Sequence, residues 1–175
     1  PGGRIEEKAG TQILHSGLPA NKNLDHLDAP DWNLARKYSG KELKMVSYES
    51  VRGCPYRCAF CNYPFLFDDN KFRYKSAQQI ANDWEQLVND GAEYITCLDS
   101  LFTMPKRRLI ELCNEILKRE IKVKWICYAR ATDLRDLEVC ELMKKAGCHQ
   151  VQIGLESGSQ KQLDNMNKRT TVEDN

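Results

Sequence analysis

Segments with the composition of β-strands alternate with segments that have the period of α-helices from residue 44 to the end of the chain. The predicted strands, spaced at roughly the 30 residues of a βα unit, are 44–51, 93–98, 122–129 and 149–155. Such alternation favours a parallel sheet with right-handed crossover helices. Because about four strands are too few to close an eight-stranded barrel, the sequence predicts an α/β fold that forms a partial (βα) barrel.

Capping residues and apolar stripes predict the crossover helices. Ser76, with Gln79 three residues later, predicts a helix start with a capping box, and Gly91 is the expected stop. Pro105 is expected to open the second helix, and a last helix is predicted to begin within 157–159. The third helix carries its predicted apolar stripe at Leu137, Cys140, Met143 and Ala146.

The first 43 residues predict little regular structure. They mix Gly, Pro, Asn and Asp with isolated Leu residues and show no sustained period. We therefore expect residues 1–43 to be an irregular linker or wrapping arm, and residues 44–175 to be the N-terminal part of a barrel domain. The first residue is Pro rather than Met, which suggests a segment of a longer protein, and an open fourth strand would favour self-association.

Charge and hydropathy exclude several classes of protein. The chain has 26 Lys and Arg residues against 25 Asp and Glu residues, so we expect no nucleic-acid partner recruited by charge. No apolar run approaches the ~18 residues of a membrane span, and the start has no signal-peptide core. Three of the eight cysteines are clustered, which favours a reducing compartment, and we therefore expect a cytoplasmic protein.

The clustered cysteines, Cys54, Cys58 and Cys61, directly follow the first predicted strand. Gly53 and Pro55 allow the bends that a short loop needs to wrap three thiolates around one inorganic centre. Three thiolates suit an iron–sulfur cube, which normally takes four cysteine ligands. A missing fourth ligand leaves one iron open to an outside molecule, as in metal sites that activate a ligand.

Two other interpretations of the cysteines remain open. A zinc site would need a distant ligand, for which the candidates are His15, His26, His149 or another cysteine. The remaining thiols lie on predicted elements among apolar neighbours, which favours small core residues over an auxiliary cluster. They are Cys97, Cys113, Cys127, Cys140 and Cys148.

The spacing Cys54-x3-Cys58-x2-Cys61, with Phe60 before the last cysteine, resembles the signature of the radical S-adenosylmethionine (radical SAM) superfamily. The resemblance covers roughly residues 24–172. The segment 154–159, continuing through Leu163 and Met166 to 168–170, is similar to the cobalamin-dependent-type subgroup and more loosely to the methylthiotransferases. Segments 24–32 and 128–131 also resemble that subgroup.

This resemblance implies a 4Fe-4S cluster held by the three cysteines, with SAM chelating the fourth iron. Reductive cleavage of SAM would give a 5′-deoxyadenosyl radical, here for methyl transfer or a related radical cyclisation or rearrangement of an unspecified substrate. The implied partner is an electron donor such as flavodoxin or ferredoxin. The subgroup also implies cobalamin; because the 175 residues contain no Asp-x-His-x-x-Gly element, we expect cobalamin, if used, to bind through a domain outside this chain.

The alternatives to this function are a methylthiotransferase-like radical SAM enzyme and a non-catalytic iron–sulfur or zinc binding module. The second-cluster cysteine pattern expected of a methylthiotransferase is not visible in these residues.

The resemblance also implies which residues contact SAM. Phe60 would pack near the adenine, and Glu156, with Ser157 beside it, would accept hydrogen bonds from the ribose hydroxyls. Arg130 would pair with the carboxylate, and Asp99 occupies the place where many relatives carry a Gly-Gly-Glu segment for the amino group. Arg130 as a structural ion-pair partner and Glu156 as a helix N-terminal charge are the alternatives.

The two-residue period of a strand predicts which side chains share a face near Glu156. Gln152 and Gly154 are expected to share its inward face. The residues expected to face the helices are Val151, Ile153 and Leu155.

Overall fold

The structure, a computed structural model, describes residues 4–15, 23–66 and 72–175. In chain order its strands are β1 (Arg4–Lys8), β2 (Thr11–His15), β3 (Met45–Tyr48), β4 (Val51–Arg52), β5 (Arg73–Tyr74), β6 (Tyr94–Cys97), β7 (Lys124–Ala129) and β8 (Cys148–Ile153). Its helices are α1 (Trp32–Ser39), α2 (Tyr63–Leu66), α3 (Ala77–Asn89), α4 (Lys106–Lys118), α5 (Leu137–Lys145) and α6 (Gln160–Asn165), with a 3-10 turn at Ala131–Leu134. No described helix has the length and apolar character needed to cross a membrane.

The central layer is a four-stranded parallel sheet in the order β3-β6-β7-β8. The four strands lie side by side in the order in which they occur along the chain, and the helices α3, α4 and α5 connect them. This arrangement confirms the predicted α/β fold with four parallel strands. All four strands end at the same edge of the sheet, so the loops that follow them are brought together there.

The first predicted strand is divided in two. β3 ends at Tyr48, and after two residues β4 begins at Val51 and pairs antiparallel with β5. The break turns the chain away from the sheet just before the cysteine loop. The strand prediction ran through Glu49 and Ser50, the two polar residues at which the break occurs.

Aromatic side chains fill the core between the sheet and the helices. The rings of Trp84 and Phe102 are stacked with their centroids 6.0 Å apart, and Trp125 lies 5.8 Å from Trp84. The indole N–H of Trp125 donates to the Ala146 carbonyl at 2.8 Å. These rings fix α3 and the loop after β6 against the middle of the sheet.

A buried ion pair lies beside this core. Lys75 Nζ is 2.6 Å from Asp83 Oδ2, and the same oxygen accepts a 2.5 Å hydrogen bond from Tyr48 Oη. Gln79 donates to the second Asp83 oxygen at 2.8 Å. The carboxylate thereby links α3 to β3 and to the segment after β5, which satisfies the buried charges.

The N-terminal arm contains regular elements that the prediction missed. The turn between β1 and β2 places both Ala9 and Gly10 at positive φ, as in a two-residue hairpin turn. Asp31 caps α1, and Gly40 ends it in a left-handed conformation. These elements offer little buried apolar surface to a periodicity argument at the side chains that the structure describes: Ile5 is 64% exposed, and α1 has no fully buried residue.

The predicted stripe of the third helix is wrong at its first position. Leu137 is 75% exposed, whereas Val139 and Met143 are buried. Asp136 accepts hydrogen bonds from the Glu138 and Val139 backbone N–H groups, which fixes the start of α5 and turns the helix so that Val139 meets the core.

Candidate functional site

A cavity of about 220 Å³ lies at the edge of the sheet where the parallel strands end. Cys54, Cys58 and Cys61 line one side of it, and residues at the ends of β7 and β8 line the other. The predicted site residues that the structure brings together here are Phe60, Arg130 and Glu156, beside the three cysteines.

The segment that follows β6 holds the first part of the cysteine loop. Gly53 is buried and adopts a left-handed conformation, with φ of 84°, which a side chain would disfavour. Its carbonyl accepts a 2.7 Å hydrogen bond from Ser100 Oγ. The loop therefore leaves β4 in a fixed direction, towards the cavity.

The other side of the loop is held by the residues that follow α6. The Ala59 N–H donates to the Met166 carbonyl at 2.8 Å, and Asn167 Nδ2 donates to the Arg57 carbonyl at 2.8 Å. The loop is thus fixed between β6 and a segment more distant in sequence.

All three loop cysteines are free thiols of intermediate burial, and burial raises the pKa of the Cys54 thiol. Among the described residues, no group of three or more His, Cys, Asp or Glu side chains is placed to hold a metal ion. The three thiols line one cavity, and a cube would take one thiolate on each of three irons.

Arg130 is buried in the wall opposite the cysteines. Its Nη2 donates to the carbonyls of Lys168 and, at 3.2 Å, of Arg169. The guanidinium lies 3.9 Å from the centre of the Tyr56 ring, and Nη1 lies 3.9 Å from Cys58 Sγ. Within the described residues these partners carry no carboxylate, and the buried Nε has no hydrogen-bond partner there.

Glu156 lies on the same wall and pairs with Lys168, whose Nζ is 2.9 Å from Glu156 Oε1. Glu156 has a positive φ of 64° and lies four residues before α6. Its charge is therefore matched by a lysine rather than by the first turn of a helix, contrary to the helix-charge alternative.

The predicted inward face is confirmed, because Gln152, Gly154 and Glu156 all line the cavity. On the other face Val151 packs against the core. Ile153 and Leu155 are 42% and 43% exposed, so the described residues do not cover them with helices as expected.

Asp99 and Ser157 do not line the cavity. Asp99 is buried beneath the cysteine loop, where its oxygens accept hydrogen bonds from Ser50 and Val51. Burial raises the pKa of Asp99 to about 6. Ser157 Oγ accepts from the Ser159 N–H at 3.1 Å. Ser100, next to Asp99, is the residue that reaches the cavity, and the contacts of Asp99 and Ser157 with SAM stay predictions.

Sequence reasoning assigned no role in the site to Lys168 or Tyr56. Lys168 lies 12 residues after its partner Glu156, and Tyr56 contacts Arg130 through its ring. The resemblance includes Tyr56 in the cysteine loop and Lys168 near the end of the segment 154–170 without giving either a role. The fold of the segment after α6 brings Lys168 to the cavity.

The remaining cysteines lie away from this cavity. Cys97, Cys113 and Cys127 are fully buried in the core, as the core interpretation predicts. The Cys148 thiol donates to the Gln150 carbonyl at 3.8 Å.

Residues 48–175 match the radical SAM superfamily. The chain is 32% identical over 175 residues to the anaerobic magnesium-protoporphyrin IX monomethyl ester cyclase of Cereibacter sphaeroides. The aligned region covers 95% of this chain and 28% of that protein. It is 29% identical to the hopanoid C-3 methylase of Methylococcus capsulatus, over 97% of this chain and 34% of that protein.

Among solved structures, the fold matches the cobalamin-dependent SAM radical enzyme OxsB with aqua-cobalamin and SAM bound, with a TM-score of 0.78. That match has 24% sequence identity and covers 97% of this chain and 26% of OxsB. This chain thus spans about a quarter to a third of the length of these relatives. Since the family match covers residues 48–175, which include the cysteine loop and the parallel strands β6, β7 and β8, the chain belongs to the radical SAM superfamily.

Proposed function

We propose that the protein is a radical SAM enzyme that holds a 4Fe-4S cluster through Cys54, Cys58 and Cys61 and binds SAM in the adjoining cavity. The observation that carries this proposal is that the three thiols share one cavity with a buried guanidinium and a carboxylate, those of Arg130 and Glu156. A purely structural metal site would have no use for these charged groups beside an open coordination position.

The side chains of the cavity match the parts of SAM in chemical type. Arg130 offers a buried donor to the carboxylate of the ligand, and Glu156 offers acceptors to the ribose hydroxyls. Phe60 is 54% exposed on the cavity side of the loop and offers an apolar face to the adenine. When bound, a cluster of this kind supplies one-electron reduction of the SAM sulfonium.

The class of reaction we propose is methyl transfer or a related radical cyclisation. Support comes from the relatives, among which are a cyclase and a methylase. We further propose that an electron donor such as flavodoxin or ferredoxin reduces the cluster.

Cobalamin is proposed as a second cofactor, bound outside these 175 residues. Support comes from the cobalamin-dependent structural neighbour and from the lack of an Asp-x-His-x-x-Gly element in this sequence. Tight binding of cobalamin by the 175 residues alone, measured by equilibrium dialysis, would contradict this placement.

The test is anaerobic loading of the full chain with iron and sulfide. We expect about four irons and four sulfides per chain, a Mössbauer spectrum of a 4Fe-4S cluster, and an EPR spectrum of the reduced cluster that changes when SAM is added. Cys58→Ala should lose the intact cluster. The matched control is Cys140→Ala, because Cys140 is outside the cavity and donates to the Leu134 carbonyl.

Two results would overturn the proposal. A chain that takes up one zinc and no iron would be a metal-binding module. A cluster whose EPR spectrum is unchanged by SAM would be an iron–sulfur module without the proposed ligand site.

A further inference from the structure

Lys168 is a buried cation in the wall of the cavity. Its side chain is 7% exposed, and its Nζ lies 2.9 Å from Glu156 Oε1 and 5.7 Å from the centre of the Phe60 ring. A lysine ammonium is strongly hydrated in water, so burying it is unfavourable unless it gains partners. Lys168 gains two, and both are residues that the proposed ligand would touch.

The backbone around Lys168 is fixed independently of the ion pair. Its carbonyl accepts from Arg130 Nη2, its N–H donates to the Leu163 carbonyl at 3.0 Å, and the preceding Asn167 is bonded to the cysteine loop. The position of the ammonium is therefore set by the fold. Glu156, which is 31% exposed, is the more adaptable partner.

The chain leaves space for this ion pair at Gly154. A Cβ at that position would lie 2.5 Å from Glu156 Oε1 and 3.2 Å from Lys168 Nζ. The first separation is far shorter than a van der Waals contact, so any side chain at residue 154 would displace the carboxylate. The ion pair therefore lies directly against the glycine backbone, inside the cavity.

Only one oxygen of Glu156 is used by the protein. Oε1 accepts from Lys168, whereas Oε2 has no partner among the residues that the structure describes. A carboxylate held by one oxygen presents the other in a defined direction, which lowers the ordering cost of accepting hydrogen bonds from a ligand.

We infer that Lys168 is a positioning residue, which holds the Glu156 carboxylate so that its second oxygen accepts the hydroxyls of the ribose. The inference rests on the proposed function, because it assumes SAM as the ligand. Lys168 thus acts on the ligand through Glu156 and makes no direct contact with the ligand carboxylate.

The two roles are separated by a ligand that keeps the ribose and lacks the amino acid part. The probes are SAM and 5′-methylthioadenosine, whose binding to the iron-loaded full chain is measured by calorimetry under anaerobic conditions. If Lys168 acts through Glu156, Lys168→Met weakens the binding of both probes by about tenfold. If Lys168 contacts the ligand carboxylate, the variant weakens SAM alone, and the inference is overturned.

A double-variant cycle provides a second readout. Glu156→Gln should weaken 5′-methylthioadenosine to a similar extent, and adding Lys168→Met to it should have little further effect. Losses that multiply in the double variant would overturn the inference. Lys168→Arg, which keeps the charge, should recover part of the affinity, and Gly154→Ala, which keeps both ions, should reproduce the loss.

The outcome for the unchanged protein separates this inference from the proposed function. If the unchanged chain binds neither probe, the proposed function fails. If it binds both and Lys168→Met binds 5′-methylthioadenosine as tightly as the unchanged chain, only the role of Lys168 fails. Variants are compared at equal iron content, so that loss of the fold or of the cluster is measured directly.

Discussion

Asp99 Oδ2 accepts a 2.5 Å hydrogen bond from Ser50 Oγ. Its other oxygen accepts from the backbone N–H groups of Ser50 and Val51, at 2.6 and 2.8 Å. One buried carboxylate thus ties the end of β6 to the turn between β3 and β4. Because the cysteine loop begins two residues after β4, this tie sets the direction in which the loop leaves the sheet.

Asp99→Ala should destabilise the protein strongly. The change leaves three donors without their acceptor in a buried place, and each unsatisfied group costs about 1–3 kcal/mol. We expect the free energy of unfolding, measured with urea, to fall by at least about 3 kcal/mol. The control is Asp136→Ala at the start of α5, a more exposed cap whose loss costs about 1 kcal/mol; equal losses would contradict the anchoring role of Asp99.

The ionisation of Asp99 should make stability depend on pH. Burial raises its pKa from 3.8 to about 6 in the folded chain, so the stabilising contribution of the protonated form is complete below pH 3.8 and is lost as the pH rises through 6. Relative to Asp99→Asn, the unfolding free energy of the unchanged protein should fall by up to about 3 kcal/mol across this window. Urea unfolding of both proteins at several pH values measures this difference. A constant difference would show that folding leaves the pKa of Asp99 unchanged, and a difference that rises with pH would show that folding lowers it; either result contradicts the prediction.

The buried Lys75–Asp83 pair should matter much more than an exposed one. Asp83→Ala leaves the Lys75 ammonium unpaired in the core and should lower the unfolding free energy by about 3–5 kcal/mol. The control is Glu93→Ala: Glu93 pairs with Lys44 at 2.8 Å, but both side chains are more than half exposed, so the expected loss is below about 1 kcal/mol. Replacing both Lys75 and Asp83 with apolar residues should recover much of the loss, and failure to do so would assign the effect to packing.

A lysine in the Arg130→Lys variant should not restore the contacts that the Arg130 guanidinium makes. The arginine spans two carbonyls and covers the Tyr56 ring, a planar and forked arrangement that an ammonium cannot reproduce. We expect Arg130→Lys and Arg130→Met to lose iron to a chelator faster than the unchanged protein, at similar rates, because the segment after α6 no longer braces the cysteine loop. Arg107→Lys, on the exposed surface of α4, serves as the control; a rate for Arg130→Lys equal to that of the unchanged protein would show that charge alone suffices.

The prediction succeeded where local chemistry and the tertiary structure agree. Ser76 caps α3 as expected, accepting from the Gln79 N–H at 3.1 Å. The side chain of Gln79 does not complete the predicted capping box, because it donates to the buried Asp83 instead. Tertiary partners of this kind cannot be seen in a local pattern.

The candidate site shows the same difference between what local patterns predict and what tertiary contacts decide. The cysteines were predicted from their spacing, and Arg130 and Glu156 from the family resemblance together with their place at strand ends; all five meet in one cavity. Asp99 comes from the predicted strand end, but the backbone donors of Ser50 and Val51 draw its carboxylate away from the cavity. Lys168 follows Asn167, which adopts a positive φ just after α6, as asparagine often does at a helix end. The contact of Lys168 with Glu156 depends on the path of the chain after that turn, which a local pattern does not show.

The hydrogen bond from Asn167 to the Arg57 carbonyl joins residues 110 positions apart. A synthetic peptide that copies only residues 51–62 would contain all three thiols of the cysteine loop. It would lack the hydrogen bonds that Asn167 and Ser100 donate to the loop. Such a peptide would have to be ordered by the iron it binds, whereas in the protein much of that ordering is completed when the chain folds.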